Sequence, residues 1–315
     1  MLSLPAEADG QFGVFTTVQA AACGWTPKAL AKATSKGELV RIRRAVYAAA
    51  AHCLDPHPSA RRTVLQGAVA ATLAAGSATV SHSSAAIAHD LPVMMTPDVP
   101  CVSVDRNHTA IDGVHLHRRA SSPSHRKPVG LVPVTDPART CVDIAREAGL
   151  LPGLVTTDAA LHRGLVTAAD LEAEYATLRG RAGLRDGRRL LELCSPLSES
   201  PLETISLFHM SGLPVQPRQQ AELYTSLGEF IGRADFYWEQ FGLVGEADGR
   251  EKYDGDELYR EKLRQDAMLS AGLLVIRWGW ATAMSRRRLD ELIRAELARA
   301  EQLRLGGFLT RAIAA

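Results

Sequence analysis

The chain has 315 residues, 46% of them hydrophobic, with 36 basic against 35 acidic side chains and a formal net charge of +1. That length exceeds what one hydrophobic core usually serves and points to two or three domains. A near-zero net charge excludes a bulk electrostatic preference for nucleic acid or membrane, so any such preference must be local. The longest small-residue stretch, 66–78, is interrupted by Gly67, Thr72 and Gly76 and is too short to span a bilayer. The acidic N-terminus MLSLPAEADGQF lacks a basic-then-apolar signal pattern. Cys23, Cys53, Cys101, Cys141 and Cys194 are scattered without paired spacing, as reduced thiols in a cytoplasmic protein would be. No membrane partner is expected.

Residues 13–50 predict helix, turn, helix and a two-stranded ribbon. Thr16 or Thr17 caps a short helix through Ala22, and Gly24 marks the turn. Thr26 followed by Pro27 is a helix start, and Gly37 closes that second helix just past Ser35. In LVRIRRAVYAA, strand alternation sends Val40 and Ile42 to one face, Arg41 and Arg43 to the other. Lys28, Lys32 and Lys36 recur every four residues and form one basic stripe. With Arg41, Arg43 and Arg44 they make six bases against one acid, Glu38. A basic helix followed by a basic ribbon is the layout of a winged helix-turn-helix that binds DNA. A solvated amphipathic helix is the competing explanation of the same lysines.

The next region predicts an Ala-rich helix over Ala60–Ala75, a helix capped by Ser81, strands near 99–104 and 113–118, and a helix started by Asp136. His82 and His89 stand seven apart, on one helix face. Two histidines without a third ligand read better as packed, hydrogen-bonded groups than as a metal site. Asp143 and Arg139 have the spacing of an intrahelical pair. Residues 158–193 read as helices with an arginine-rich turn (Arg179, Arg181, Arg185, Arg188, Arg189), either a phosphate contact or a solvated linker.

The Ser- and Pro-rich segment 196–201 marks the last boundary. Ser200 caps a helix opened by Pro201, and Glu203 falls at capping-box spacing. Glu203 is therefore either a structural cap or a helix carboxylate of a metal site. A hairpin follows, with strands at Phe230–Trp238 and 241–248, and places Asp235, Glu246 and Asp248 among Phe236, Trp238, Leu243 and Val244. Carboxylates beside buried apolar groups call for a compensating cation, and Mg²⁺ (or Mn²⁺) held by Asp235, Glu246 and Asp248 is the expected one; a solvated strand end that happens to be acidic is the competing explanation. A helix over GDELYREKLRQDAMLSAG and a buried strand in LLVIRWGW complete an α/β domain with a mixed sheet.

These segments carry two resemblances. FTTVQAAACGWTPKALAKATSKGELVRIRRAVY, SHSSAAIAHDLP and VTDPARTCVDIA resemble AbiE-type abortive-infection antitoxins. DFYW…LVGEADGREKY with EKLRQDAMLSAGLLVIRW resembles the PD-(D/E)xK, restriction-endonuclease-like fold, within it the very-short-patch-repair-like endonucleases. The resemblances imply a multi-domain α+β chain. Its parts are a winged helix-turn-helix at 1–55, an antitoxin-like α+β region at 56–195, and an endonuclease-like mixed sheet flanked by helices at 196–315. They imply that Asp235 and Glu246 hold Mg²⁺ for phosphodiester hydrolysis and that Glu203 is the helix carboxylate. Asp248 stands where the motif usually has lysine, a role open to Lys252 or Lys262. The expected function is DNA binding with metal-dependent cleavage by Glu203, Asp235, Glu246, Asp248 and Lys252. The alternative is a non-cleaving antitoxin-like repressor with a cognate toxin. A homodimer is the expected assembly for either.

Overall fold

The computed structural model describes residues 3–50, 60–104, 110–118, 125–178, 183–248, 255–305 and 313–314. The chain is a mixed α+β protein with several small sheets, and it divides into two compact units, Met1–Cys194 and Ser195–Ala315.

Unit 1 opens with α1 (Glu7–Gly10), β1 (Val14–Thr16), α2 (Thr17–Ala22), α3 (Pro27–Ser35), β2 (Leu39–Arg43) and β3 (Val46–Ala49). Thr16 caps α2 in a reciprocal capping box with Gln19, and Thr26 caps α3 through the Ala29 amide, with Pro27 opening the helix. β1, β3 and β2 form an antiparallel sheet in that order. The β2–β3 register slips by one residue between Arg41 and Arg43. Val40 stands opposite core Ala48 and Ile42 packs against the same core, although Val40 stays 37% exposed.

The unit continues with α4 (Ala60–Ala75), β4 (Thr79–Val80), α5 (His82–Ala88), β5 (Cys101–Val104) and β6 (His115–Arg118). β4 runs antiparallel to β5, and β5 parallel to β6. One core joins Val14, Val46 and Ala48 of the first sheet to Val64, Leu65 and Val69 of α4 and to Val80, Val102 and Val104 of the second sheet. Residues on both sides of the expected 55/56 boundary thus share a single interior.

Four helices follow, α6 (Pro137–Glu147), α7 (Leu150–His162), α8 (Ala168–Thr177) and α9 (Leu184–Leu193). Asp136 caps α6 as its sequence predicts. α6 meets α7 so closely that a Cβ on Gly153 would sit 2.5 Å from that of Ala145, so only glycine fits the crossing. The Arg139–Asp143 pair exists but belongs to a larger buried network: Arg139 also reaches Glu174, and Arg146 binds the second oxygen of Asp143. Arg185, Arg188 and Arg189 are exposed on α9, whereas Arg179 and Arg181 lie outside the described residues.

Unit 2 begins with α10 (Pro201–Met210), then β7 (Arg218–Tyr224), β8 (Phe230–Trp238) and β9 (Leu243–Ala247), followed by α11 (Gly255–Ser270) and β10 (Leu274–Trp278). Two helices, α12 (Trp280–Ala283) and α13 (Arg286–Leu305), and a short β11 (Ile313–Ala314) end it. Its five strands lie in the order β10-β9-β8-β7-β11, antiparallel except for the parallel β9–β10 pair. The second hairpin strand is shorter than expected, because Phe241 belongs to a 3₁₀ turn that precedes it. Gly245 lets Trp278 and Trp238 close over the sheet, since a Cβ there would lie 2.7 Å from the Trp278 ring. Trp278 stacks on Phe236 and donates its indole N–H to Ser206 of α10. The opposite packing, around Tyr237, Val244, Met268 and Leu273, seats α11. No helix among the described residues is long and apolar enough to cross a membrane.

Candidate functional site

Two groups of the expected residues are gathered by the fold, one in each unit. In unit 1, α3 buries Leu30 and Ala33 and leaves Lys28, Lys32 and Lys36 exposed. Lys36 lies 3.8 Å from Glu38, both half in water, an exposed pair of small energetic weight. Arg41 and Arg44 are exposed on the ribbon, whereas Arg43 turns aside and donates to the Asp112 carbonyl. Arg43 stands just past the register slip of β2. Five of the six predicted cations therefore remain on open surface, and Arg43 acts as a tie to the loop before β6.

In unit 2, the register Phe236↔Gly245 makes Asp235 and Glu246 neighbours one step along the β8–β9 pair. Asp235 accepts the Ala247 amide at 2.8 Å, which pins its carboxylate across the strands. Glu246 is buried and lies 3.3 Å from the Arg264 guanidinium of α11. Arg264 also donates to the Arg233 carbonyl at 3.1 Å. A cation thus stands beside the acid pair, but it is Arg264 rather than lysine. Lys262 is exposed on α11, and Lys252 lies outside the described residues. The helix spacing Glu246 would need gave no sequence signal, because register between a strand and a helix is a tertiary fact.

Glu203 is buried near the same end of the sheet. Its amide donates to the Ser200 hydroxyl, and its carboxylate accepts from the Glu199 amide at 2.9 Å and from Gln220 at 2.8 Å. The return half of the expected capping box therefore goes to Glu199, not to the cap residue. Burial pushes the Glu203 carboxyl up, against its two hydrogen bonds from Glu199 and Ser200, and Asp235 adds to the rise. Burial likewise pushes Asp235 up, opposed by the Ala247 amide and Arg264. Glu199 pairs with Arg233 at 2.7 Å. Asp248 is half-buried, its amide continuing the β9–β10 ladder to the Trp278 carbonyl.

Among the described residues, three groups of His, Cys, Asp and Glu have ligand atoms within 4.8 Å of one another, and all three lie in unit 1. They are Cys101–His115–His117, His82–His117–Glu147 and His125–Asp136–Glu174. Asp235, Glu246 and Asp248 do not form such a group. His89, expected to share a face with His82, instead bonds the Thr135 carbonyl at 2.8 Å, so the two histidines do not meet. The partners His82 does meet, His117 and Glu147, are distant in sequence.

Residues 3–50 match the family model described as a transcriptional regulator, AbiEi antitoxin, and residues 45–193 match the AbiEi antitoxin C-terminal domain. Unit 1 resembles an AbiEi antitoxin. Two curated relatives, the uncharacterized proteins MT2308 and Rv2248 of Mycobacterium tuberculosis strains CDC 1551 and H37Rv, are each 30% identical over 167 residues. That match covers 52% of this chain and 60% of each relative. A solved structure, the RV2827C protein from Mycobacterium tuberculosis, aligns at 15% identity and a TM-score of 0.36 over 72% of this chain and 91% of its own. The AbiEi-like match ends where unit 1 ends.

Proposed function

We propose that this chain is a DNA-binding regulator of the antitoxin type, with α2–α3 and the β2–β3 ribbon acting as a winged helix-turn-helix. The observation that supports it most is the exposed lysine stripe of α3 inside a segment that matches an AbiEi transcriptional regulator. Lys28, Lys32 and Lys36 would sit against phosphates, with Arg41 and Arg44 extending the contact from the ribbon. Condensed counterions released by those contacts make affinity fall with salt. A mobility shift across a salt series tests this, using DNA from the upstream region of the chain's own gene. Binding that is unaffected by salt, or by alanine at the three lysines, sinks the reading. A cognate toxin is the proposed protein partner, a homodimer the proposed assembly, and the cytoplasm the proposed compartment.

A second reading adds metal-dependent phosphodiester cleavage in unit 2, in a PD-(D/E)xK-like domain. It rests on the adjacency of Asp235 and Glu246 with Arg264 beside them. Asp235 and Glu246 are a donor set that suits Mg²⁺, which takes one or two carboxylates and keeps water in its remaining positions; Asp248 is a further candidate. Such an ion would polarise a scissile phosphate and acidify bound water. Arg264 is placed to balance charge on the phosphate, the task usually given to lysine. Glu203, with its raised affinity for a proton, would hold or accept one nearby. Supercoiled plasmid incubated with Mg²⁺ or Mn²⁺ decides between the readings: nicking that vanishes in Glu246→Ala supports cleavage. Intact plasmid with folded, DNA-shifting protein leaves the regulator alone.

A further inference from the structure

β5 and β6 run parallel with Cys101 opposite His115 and Ser103 opposite His117. Strand alternation puts Cys101, His115 and His117 on one face of the pair, while Val102, Val104 and Leu116 turn to the core on the other. His82, at the start of α5, and Glu147, at the end of α6, reach the same face. His117 lies flat against His82, ring centroids 3.5 Å apart and planes 14° apart, and its ring is 4.4 Å from that of His115. Cys101, His82 and His117 are buried, and burying two imidazoles and a thiol side by side is costly unless their polar atoms are satisfied.

Glu147 decides what His117 offers. Its Oε2 is 2.7 Å from His117 Nδ1, so Nδ1 carries the proton and Nε2 keeps its lone pair. Nε2 of His117 is fully buried and has no hydrogen-bond partner among the described residues. A metal-binding histidine commonly donates its second N–H to a carboxylate, which fixes the tautomer and raises the basicity of the ligating nitrogen.

We propose that Cys101, His115 and His117 form a binding site for a borderline-soft divalent metal ion of the zinc class, with Glu147 orienting His117 from behind. Sulfur with two imidazoles selects Zn²⁺ over Mg²⁺ or Ca²⁺, which prefer oxygen. Ligand atoms in tetrahedral zinc sites stand about 3.3–3.8 Å apart. The 4.8 Å grouping here needs only a small side-chain closure. His115 is exposed and gives the ion a path from solvent, and water completes the coordination. Cys101 releases its proton to solvent as the thiolate binds. The other unit 1 group, His125–Asp136–Glu174, is a poorer candidate, because the Arg139 guanidinium already lies 3.3 Å from Glu174 and supplies the positive charge. This site stands independently of the DNA-binding reading.

The test uses the full-length, reduced, chelator-stripped protein titrated with Co²⁺ as a coloured substitute, then with Zn²⁺. One equivalent of Co²⁺ should give a thiolate-to-metal charge-transfer band, and Zn²⁺ should abolish it by displacement. Cys101→Ser should remove that band. His115→Gln, at an exposed position that tolerates change, should weaken Co²⁺ binding at least ~10-fold, and Glu147→Gln should weaken it about 10–100-fold. His125→Gln should leave binding as in the parent. A folded parent that binds neither Co²⁺ nor Zn²⁺ stoichiometrically overturns the proposal. So does binding of parental strength in both Cys101→Ser and His115→Gln, or a loss confined to His125→Gln.

Discussion

Asp235 shows at the level of one residue what a buried carboxylate costs. Its pKa is raised by burial in the folded chain, so above the ordinary carboxylate value the unfolded state ionises first and is favoured. The folded state is thus penalised at neutral pH and relieved as pH falls below that value. Asp235→Asn keeps an oxygen for the Ala247 amide and removes the charge. In chelator it should raise the melting temperature at pH 7, by about 2–4 °C per kcal/mol relieved, with the gain shrinking below pH 4. A lower melting temperature at pH 7 would show that the charge is already well compensated. Arg264→Ala should act the other way, since it removes the guanidinium 3.3 Å from buried Glu246: about 1–3 kcal/mol of destabilisation is expected, measured by denaturant unfolding. The thiols give a third reading. Burial pushes Cys141 up to about 12, so an alkylating reagent at pH 8 should modify partly exposed Cys23 well before Cys141. Labelling of Cys141 in native protein at the rate of Cys23 would mean that α6 opens readily.

At the scale of elements, helix caps were legible because their chemistry is local. Thr16, Thr26, Asp136 and Ser200 each cap the helix that their sequence announces, and α4 spans the Ala-rich run expected of it. Strand alternation was legible, but strand register was not. Ile42 is the clear case: the pattern along β2 cannot show that its pairing with β3 slips by one residue there. α13 was not anticipated, because three arginines at its start oppose the helix dipole and mask the stripe of Leu289, Ile293, Leu297 and Ala300 that it buries. Of the candidate sites, the lysine stripe follows from spacing alone. The neighbours Asp235 and Glu246 follow from the hairpin. Arg264, and the meeting of His82 with His117 and Glu147, arise from non-local packing that no short-range pattern carries. For α3, replacing Lys28, Lys32 and Lys36 by alanine should lower the slope of log affinity against log salt by about 0.9 for each phosphate no longer neutralised. An unchanged slope in a mobility-shift series would assign the lysines to solvent.

On the scale of the whole molecule, the chain is two compact units that meet in sequence at Cys194 and Ser195. Unit 1 has its own cores around Val102, Cys141 and Leu30, and unit 2 has its own around Tyr237 and Val244. A fragment ending at Cys194 should therefore unfold in a single cooperative transition and, on the proposed reading, shift DNA as the full chain does. A fragment that is soluble yet lacks a cooperative transition would show that unit 1 depends on the rest. Within unit 1, the interior runs unbroken from Val14 and Val46 through α4 to Val102. A reading head mounted on a tether could swing to meet half-sites at many separations. On the proposed DNA-binding reading, this segment is bolted to its chassis, so two copies paired through any part of unit 1 would act as a fixed caliper, accepting operators of one spacing and rejecting those lengthened by half a helical turn.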